Sequence, residues 1–247
     1  MEIISSAQNQ HVKLAKSLLE KKFRKETGLF LAEGKNLLKD LPDCIRIEYV
    51  FSTEQRFEEA SLLHARHEGS SLFVVTDSVM QSLADTKTPY GIVAVCKIPS
   101  AVCEAPKGNA ILLDGVADPG NVGTIFRSAA ACGYDAVYLV DSVDVYSPKV
   151  VRATLGGLFR VKAYVVDVET AKALIQSTNS AVLDMDGENI LTASIEKPIL
   201  LIAGNEAHGV RDDFARLAKH TYSLPMQNGV ESLNVAVAAS VAMYRTV

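Results

Sequence analysis

The chain has no apolar run approaching the roughly 18 to 20 residues that cross a bilayer. Its first residues, Met1-Glu-Ile-Ile-Ser-Ser6, have neither the basic start nor the apolar core of a signal peptide. A cytoplasmic protein with no membrane partner is expected. The four cysteines, Cys44, Cys96, Cys103 and Cys132, form no C-x-x-C pair and have no histidine cluster beside them. Neither a zinc site nor a disulfide framework therefore has sequence support, and reduced, mostly buried thiols are expected. A G-x-G-x-x-G dinucleotide fingerprint and the G-K-[ST] of a phosphate-gripping loop are both missing. Excess charge is also scarce: 25 basic against 29 acidic side chains leave −4, which argues against general affinity for nucleic acid.

What is present is an ordinary globular composition, 48% hydrophobic and 22% charged over 247 residues, enough for one large domain or two smaller ones. The charge is unevenly spread. From His11 to Lys25 six Lys and Arg face one acid, and from Ser147 to Lys162 four basic residues face none. Two local cationic patches survive an acidic total.

Residues 11 to 22 carry Val12, Leu14, Ala15, Leu18 and Leu19 at helical spacing with lysines between them, which predicts one amphipathic helix with a basic outer face. Strands are expected at 30–32, 45–52, 72–75 and 91–95, alternating with helices that end near 39, 67 and 83. Together they make a small mixed α/β domain over residues 1–97. Residues 98–108, with Pro99, Pro106 and Gly108 and no periodicity, read as a linker. From 109 to 247 the alternation resumes, with strands at 110–113, 136–140, 162–166, 181–185 and 199–203. Helices are expected at 122–132, from Ser147-Pro148, at 169–177, at 211–218 and from Ser232 to Tyr244. Strands separated by helix-length crossovers imply a parallel sheet covered on both faces, with ligands at the carboxyl ends of its strands.

Three segments carry candidate chemistry. Asp114-Gly-Val-Ala-Asp-Pro-Gly-Asn-Val-Gly123 follows a strand and opens a helix, a position where backbone amides can receive an anion, although these residue types also make a plain turn. Arg127 falls one turn into a helix that is otherwise small and apolar. In Gly204-Asn-Glu-Ala-His-Gly209 the glycines allow a sharp exit from the strand and close approach of a ligand. There Glu206 could orient a hydroxyl or a basic group or be a surface carboxylate, and His208 reads as a loop histidine. Ser232 precedes an apolar helix and reads as its N-cap, with Asn234 finishing the first turn. A hydrolase triad has only weak support, since no histidine stands in useful context beside Glu231 and Ser232.

Taken together, Asn121-x-Gly123-x-x-x-Arg127, Gly204-x-Glu206-x-x-Gly209, and Leu224-Pro-Met226 followed by Ser232-Leu-Asn234-Val235 resemble the motifs of the SpoU-type RNA ribose 2′-O-methyltransferases of the SPOUT superfamily. Ser6-x-x-Asn9-x-x-Val12-Lys13 and Phe30-Leu-Ala-Glu33-Gly34 are similar to that family's N-terminal substrate-binding domain, so the resemblance spans the chain. It implies a ribosomal-protein-like first domain and a catalytic domain with a deep trefoil knot, working as a homodimer on RNA with S-adenosylmethionine as cofactor and no metal. It further implies a catalytic set of Asn121, Arg127, Glu206, Ser232 and Asn234 and a cofactor pocket touching Ala203, Gly204, Leu224, Met226 and Leu233. Phosphate contacts are then expected from Lys13, Lys16, Lys21, Lys22, Arg24, Lys149 and Arg152. Ribosomal RNA is the preferred substrate. The alternatives are transfer RNA, a noncatalytic RNA-binding or ribosome-assembly factor on the same fold, and a nicotinamide-dependent oxidoreductase, the last disfavoured by the missing glycine fingerprint.

Overall fold

The computed structural model describes residues 3–100 and 102–247. Met1, Glu2 and Ala101, which the expected first domain and linker include, lie outside the described residues. In chain order the elements are β1 (Ile3–Ile4), α1 (Gln10–Ser17), α2 (Lys21–Thr27), β2 (Leu29–Glu33), α3 (Lys35–Lys39), β3 (Ile47–Ser52), α4 (Phe57–Arg66), β4 (Ser71–Val75), α5 (Asp77–Leu83) and β5 (Ile92–Lys97). There follow β6 (Ala110–Asp114), α6 (Pro119–Ala131), β7 (Ala136–Val140), α7 (Pro148–Ala153), β8 (Lys162–Val165), α8 (Val168–Ser177), β9 (Ser180–Asn189), β10 (Leu200–Gly204), α9 (Asp212–Leu217), β11 (His220–Ser223) and α10 (Val235–Arg245). No described helix is long and apolar enough to cross a membrane.

Two units divide the chain: Met1–Ser100 with Asp144–Gly156, and Ala101–Val143 with Gly157–Val247. The first is built on a mixed sheet in the order β1-β4-β3-β5-β2, in which β5 runs antiparallel to both neighbours and β4 parallel to both of its own. Val12, Ala15 and Leu18 lie on one helical face and close over Leu31, Phe51, Val93 and Val95 together with Val79, Met80 and Leu83 of α5. The single basic helix expected over 11–22 is instead two. At the end of α1 the amides of Leu18 and Leu19 bond three residues back, to Ala15 and Lys16, which tightens the last turn, and the Leu18 carbonyl accepts from Arg24 Nη1 at 2.6 Å. The segment 144–156 joins this unit through α7 packed on β2 and through the ion pair of Arg24 with Asp144.

The second unit is α/β, with six strands all parallel in the order β11-β9-β10-β6-β7-β8. Both β6 and β7 are buried at every position and β10 at all but Gly204, as the near-continuous apolar runs of a sheet covered on both faces require. From β6 the chain moves outward to β7 and β8, then returns to the other side of β6 for β9 and β10. Strand order therefore reverses between β6 and β10, whose carboxyl ends, Asp114 and Gly204, are register partners. That crevice is where such sheets take ligands.

Two details of this unit depart from expectation. The strand expected at 181–185 runs on to Asn189, because β11 pairs with 181–182 and again with 188–189 and residues 183–187 bulge out between. The last helix starts at Val235, not Ser232: Asn234 is its N-cap, with Oδ1 accepting from the amides of Ala236 at 2.9 Å and Val237 at 3.3 Å. Of two capping-type residues two positions apart, the one whose backbone is extended next to the helix takes the role.

Candidate active site

The crevice between β6 and β10 is held by side chains that fasten one loop to another. Asp114, nearly buried, accepts from the Arg211 amide at 2.8 Å and from Nε and Nη2 of the same residue, and Nη2 also reaches Asp141 at 2.9 Å. These bonds, Asp114's first, raise the guanidinium pKa still further above its ordinary value, so the clasp stays charged. Asn205 Nδ2 donates to the Gly115 carbonyl at 2.8 Å, and Gly115 needs its positive φ of 70° to turn that carbonyl inward.

The segment 205–209 is a tight turn closed by reciprocal backbone bonds between Asn205 and Gly209, at 3.0 and 2.8 Å. A Cβ on Gly204 would collide with the backbone of Gly209. The close approach expected of a ligand at Gly204 is therefore made by the protein's own chain. The turn projects Glu206 outward to accept from Asn121 Nδ2. Asn121 Oδ1 in turn accepts from Asn234 Nδ2 at 2.9 Å, while Asn234 Oδ1 is committed to capping α10. A directed row of amides thus runs from the start of α10, across the start of α6, to a carboxylate. The amino end of α6 is already occupied: Asp118 accepts from the Asn121 amide at 2.8 Å, so a carboxylate of the chain itself sits where an incoming anion was expected.

Beside Glu206 lies a cavity of about 360 Å³, lined by residues of β9 and its bulge, β10, the loop after β11 and the start of α10. All five residues expected at the cofactor, Ala203, Gly204, Leu224, Met226 and Leu233, line it, as do Glu206 and Ser232. Asn121 and Asn234 reach the same place through hydrogen bonds to Glu206 and to each other. Arg127 stands apart on α6, exposed and without a hydrogen bond or ion pair among the described residues. Three carboxylates, Asp184, Glu206 and Glu231, and no basic side chain among the described residues line the cavity, whose other walls are largely apolar.

Of the residues expected to meet RNA, Lys13, Lys16, Lys21, Lys22 and Lys149 are exposed or partly so. The Arg24 assignment needs correction, and Arg152 is already engaged within the chain. Arg24 is 4% exposed and spends its donors on Asp144, at 2.9 and 2.6 Å, and on the Leu18 carbonyl. Arg152 lies 3.5 Å from Asp85 and 3.9 Å from Glu33. Both pin segment 144–156; the desolvated Arg24 guanidinium is tolerable only with its partner, whereas the Arg152 side chain is still 35% exposed. Residues that sequence reasoning missed are Asp114, Asp118, Asn205, Arg211 and Asp184. Asp118 alone had a readable signal, an acid directly before a proline at the first helical position.

Comparison with known proteins places the chain in a family. Residues 108–244 match the SpoU rRNA Methylase family, and residues 9–94 match the MRM3-like substrate binding domain. The chain is 32% identical over 257 residues to the 23S rRNA (guanosine(2553)-2′-O)-methyltransferase RlmP of Bacillus subtilis (strain 168), covering 99% of this chain and 98% of that protein. Human mitochondrial rRNA methyltransferase 3 is 27% identical, with 90% of this chain and 68% of that protein covered. Among solved structures, the AdoMet-bound rRNA methyltransferase from Sinorhizobium meliloti superposes with a TM-score of 0.87 at 26% identity, covering 99% and 96% of the two chains. A TrmH-family putative RNA methyltransferase from Porphyromonas gingivalis gives 0.88 at 29%, covering 99% and 98%.

Proposed function

The chain belongs to the SpoU rRNA methylase family, and on that premise we propose that residues 109–247 transfer a methyl group to a ribose 2′-hydroxyl of ribosomal RNA that residues 1–97 hold, with 98–108 as the linker. The observation that carries this reading is the Asn234–Asn121–Glu206 row ending at the rim of an apolar cavity in the strand-reversal crevice. The cofactor is S-adenosylmethionine, which supplies an electrophilic methyl group on a cationic sulfur. The cavity suits it: carboxylates without a basic residue favour a cation, and Leu224, Met226 and Leu233 offer an apolar wall to a nucleoside. Both relatives described above are rRNA methyltransferases by name, which favours ribosomal over transfer RNA and an enzyme over a passive binder.

In this reading Arg127 receives a phosphate next to the target ribose. A guanidinium offers donors only and keeps its proton at any working pH, so Arg127 clamps and polarises rather than accepting a proton. The 2′-hydroxyl proton leaves to water, to phosphate or to Glu206, whose Oε2 has no protein donor among the described residues. Asn121 fixes the Glu206 carboxylate, Asn234 fixes Asn121, and Ser232 at the cavity wall hydrogen-bonds near the attacking oxygen. Such positioning supplies a large share of an in-line displacement, on the order of several kcal/mol.

The proposal includes a cytoplasmic homodimer and the family's trefoil knot. Val237, Val241 and Tyr244 form an exposed apolar stripe along α10, 38 to 61% accessible, that a second copy would cover. A Val241→Asp variant that remains the same size as wild type by light scattering would count against that interface. For the activity, ribose methylation is mapped in total RNA with and without the gene, and methyl transfer to ribosomal RNA is assayed with purified protein. Loss of one 2′-O-methyl mark is the expected result, and full methylation without the gene would refute the proposal.

A further inference from the structure

The first unit has a concave site of its own, at the amino end of the basic helix α1. At the edge of its sheet β1 pairs only with Val74 and Val75, so the outer edge of β4 from Ser71 to Phe73 has no strand partner among the described residues. The start of α1 stands opposite, and between them lies a cavity of about 440 Å³ bounded by Asn9, Gln10, His11, Leu72 and Phe73. Its wall is aromatic. The His11 ring stacks on Phe73 with centroids 4.7 Å apart and planes at 25°, Phe73 stacks on the buried Phe51 at 5.5 Å, and Tyr49 leans on His11 at 4.9 Å. A file of rings therefore leads from the buried Phe51 toward the surface, through Phe73, His11 and Tyr49, which are partly buried.

The rim is polar and specific in what remains free. Asn9 Oδ1 is committed to the cap of α1, accepting from His11 at 2.9 Å and Val12 at 3.4 Å, which leaves its Nδ2 as a donor without a partner among the described residues. Gln10 is exposed and touches only His11 Nε2, at 3.4 Å, so its amide carbonyl remains free to accept. No carboxylate lines the cavity, and the exposed face of α1 continues with Lys13 and Lys16.

We propose that this pocket receives an unpaired RNA nucleobase, stacked against the His11–Phe73 rings, edge-bonded by the Asn9 and Gln10 amides, with its phosphates near Lys13 and Lys16. A flat ring with donors and acceptors on its edge and an anionic backbone matches every wall, whereas bases inside a duplex offer no free face. A peptide strand added to β4 fits less well, because the open edge spans only Ser71 to Phe73, shorter than the usual strand of about five or six residues. The proposal rests on the reading of residues 1–97 as the part that holds RNA, and it makes that reading local.

The test uses full-length protein and a short RNA of uridines with one central 2-aminopurine, whose emission falls when the base stacks on a ring. Quenching on addition of wild-type protein is expected, with affinity at least about fivefold weaker in His11→Ala and in Phe73→Leu, in keeping with stacking contributions per base. Affinity for S-adenosylmethionine, measured by calorimetry, should stay unchanged in both. Because either variant could fold poorly, photocrosslinking of the same RNA carrying 4-thiouridine to wild-type protein is the second measurement, and adducts on His11, Tyr49 or Phe73 are expected. Unquenched emission, variants that bind like wild type, or adducts confined to Lys21 and Lys22 would overturn the pocket. If such a result came with ribosomal RNA still methylated, the proposed function would stand. Quenching and adducts as expected with no methylation of ribosomal RNA would sink the function and leave the pocket.

Discussion

In the first unit the arginines close on carboxylates of their own chain, Arg24 on Asp144 and Arg152 on Glu33 and Asp85, whereas in the second unit Arg127 projects from α6 unpaired and Glu206 is met by a neutral amide. The same residue type serves opposite ends, and the second unit holds both, since Arg211 is clasped by Asp114 and Asp141 while Arg127 is left free among the described residues. A guanidinium taken out of water must be matched within the protein, and its energy goes into holding segments together. One left in water contributes little to stability and keeps its donors for an external phosphate. Residue type does not separate these cases; the availability of a partner does.

The experiments that bear on that contrast begin with the largest effect. Arg24→Ala leaves Asp144 without its cation and should destabilise the first unit by about 3 to 5 kcal/mol in urea unfolding; a change below about 1 kcal/mol would mean the pair is replaceable. Arg127→Ala should do the reverse, leaving the unfolding midpoint in place while methyl transfer falls about 10²- to 10³-fold, as when a single transition-state donor is removed. Arg127→Lys sharpens the point: near wild-type turnover would rule out a bidentate clamp. Gly204→Ala forces a Cβ into the Gly209 backbone. A cost of about 1 to 3 kcal/mol in the second unit is expected, with loss of S-adenosylmethionine binding in calorimetry. Smaller still, Lys21→Ala with Lys22→Ala should lower the slope of log RNA affinity against log salt by up to about 1.4, roughly 0.7 for each phosphate no longer neutralised. An unchanged slope would leave those lysines without a role in RNA binding.

The smallest effect concerns pH in the first unit. His67 is 4% exposed with Nε2 unbonded, and burial, aided by the neighbouring Arg66 and opposed by Asp43, lowers its pKa below the ordinary value. A base depressed on folding binds fewer protons folded than unfolded. Its contribution is therefore whole above the unfolded value of about 6.5 and is lost as pH falls through the folded one. His67→Gln should flatten the fall in the urea midpoint between about pH 7 and pH 5.

The strands of the second unit were legible because each is an apolar run between turn residues, and the motif residues around its cavity because their spacing resembles a family. Less visible were features set by distant partners. Arg24 reads as one more cation on a basic helix until Asp144, 120 residues later, takes its charge. Arg211 gives no local sign that it faces Asp114 and Asp141. Ser232 and Asn234 both suit a helix start, and only the chain's direction there picks Asn234. The division at Leu18 was hidden because Leu18 and Leu19 continue the helical period through the turn.

The clasp of Arg211 has a consequence for how the protein is made. Its bonds close intervals of 97 and 70 residues, so the loops around the cavity are fixed only after β6, β7 and β10 have all found their places. Closing such intervals is entropically expensive and slows folding, and it is the final quarter of the polypeptide that completes a crevice begun at Asp114. A nascent chain stopped before Arg211 would carry the start of the site without its charged clasp, and competence would arrive late in synthesis.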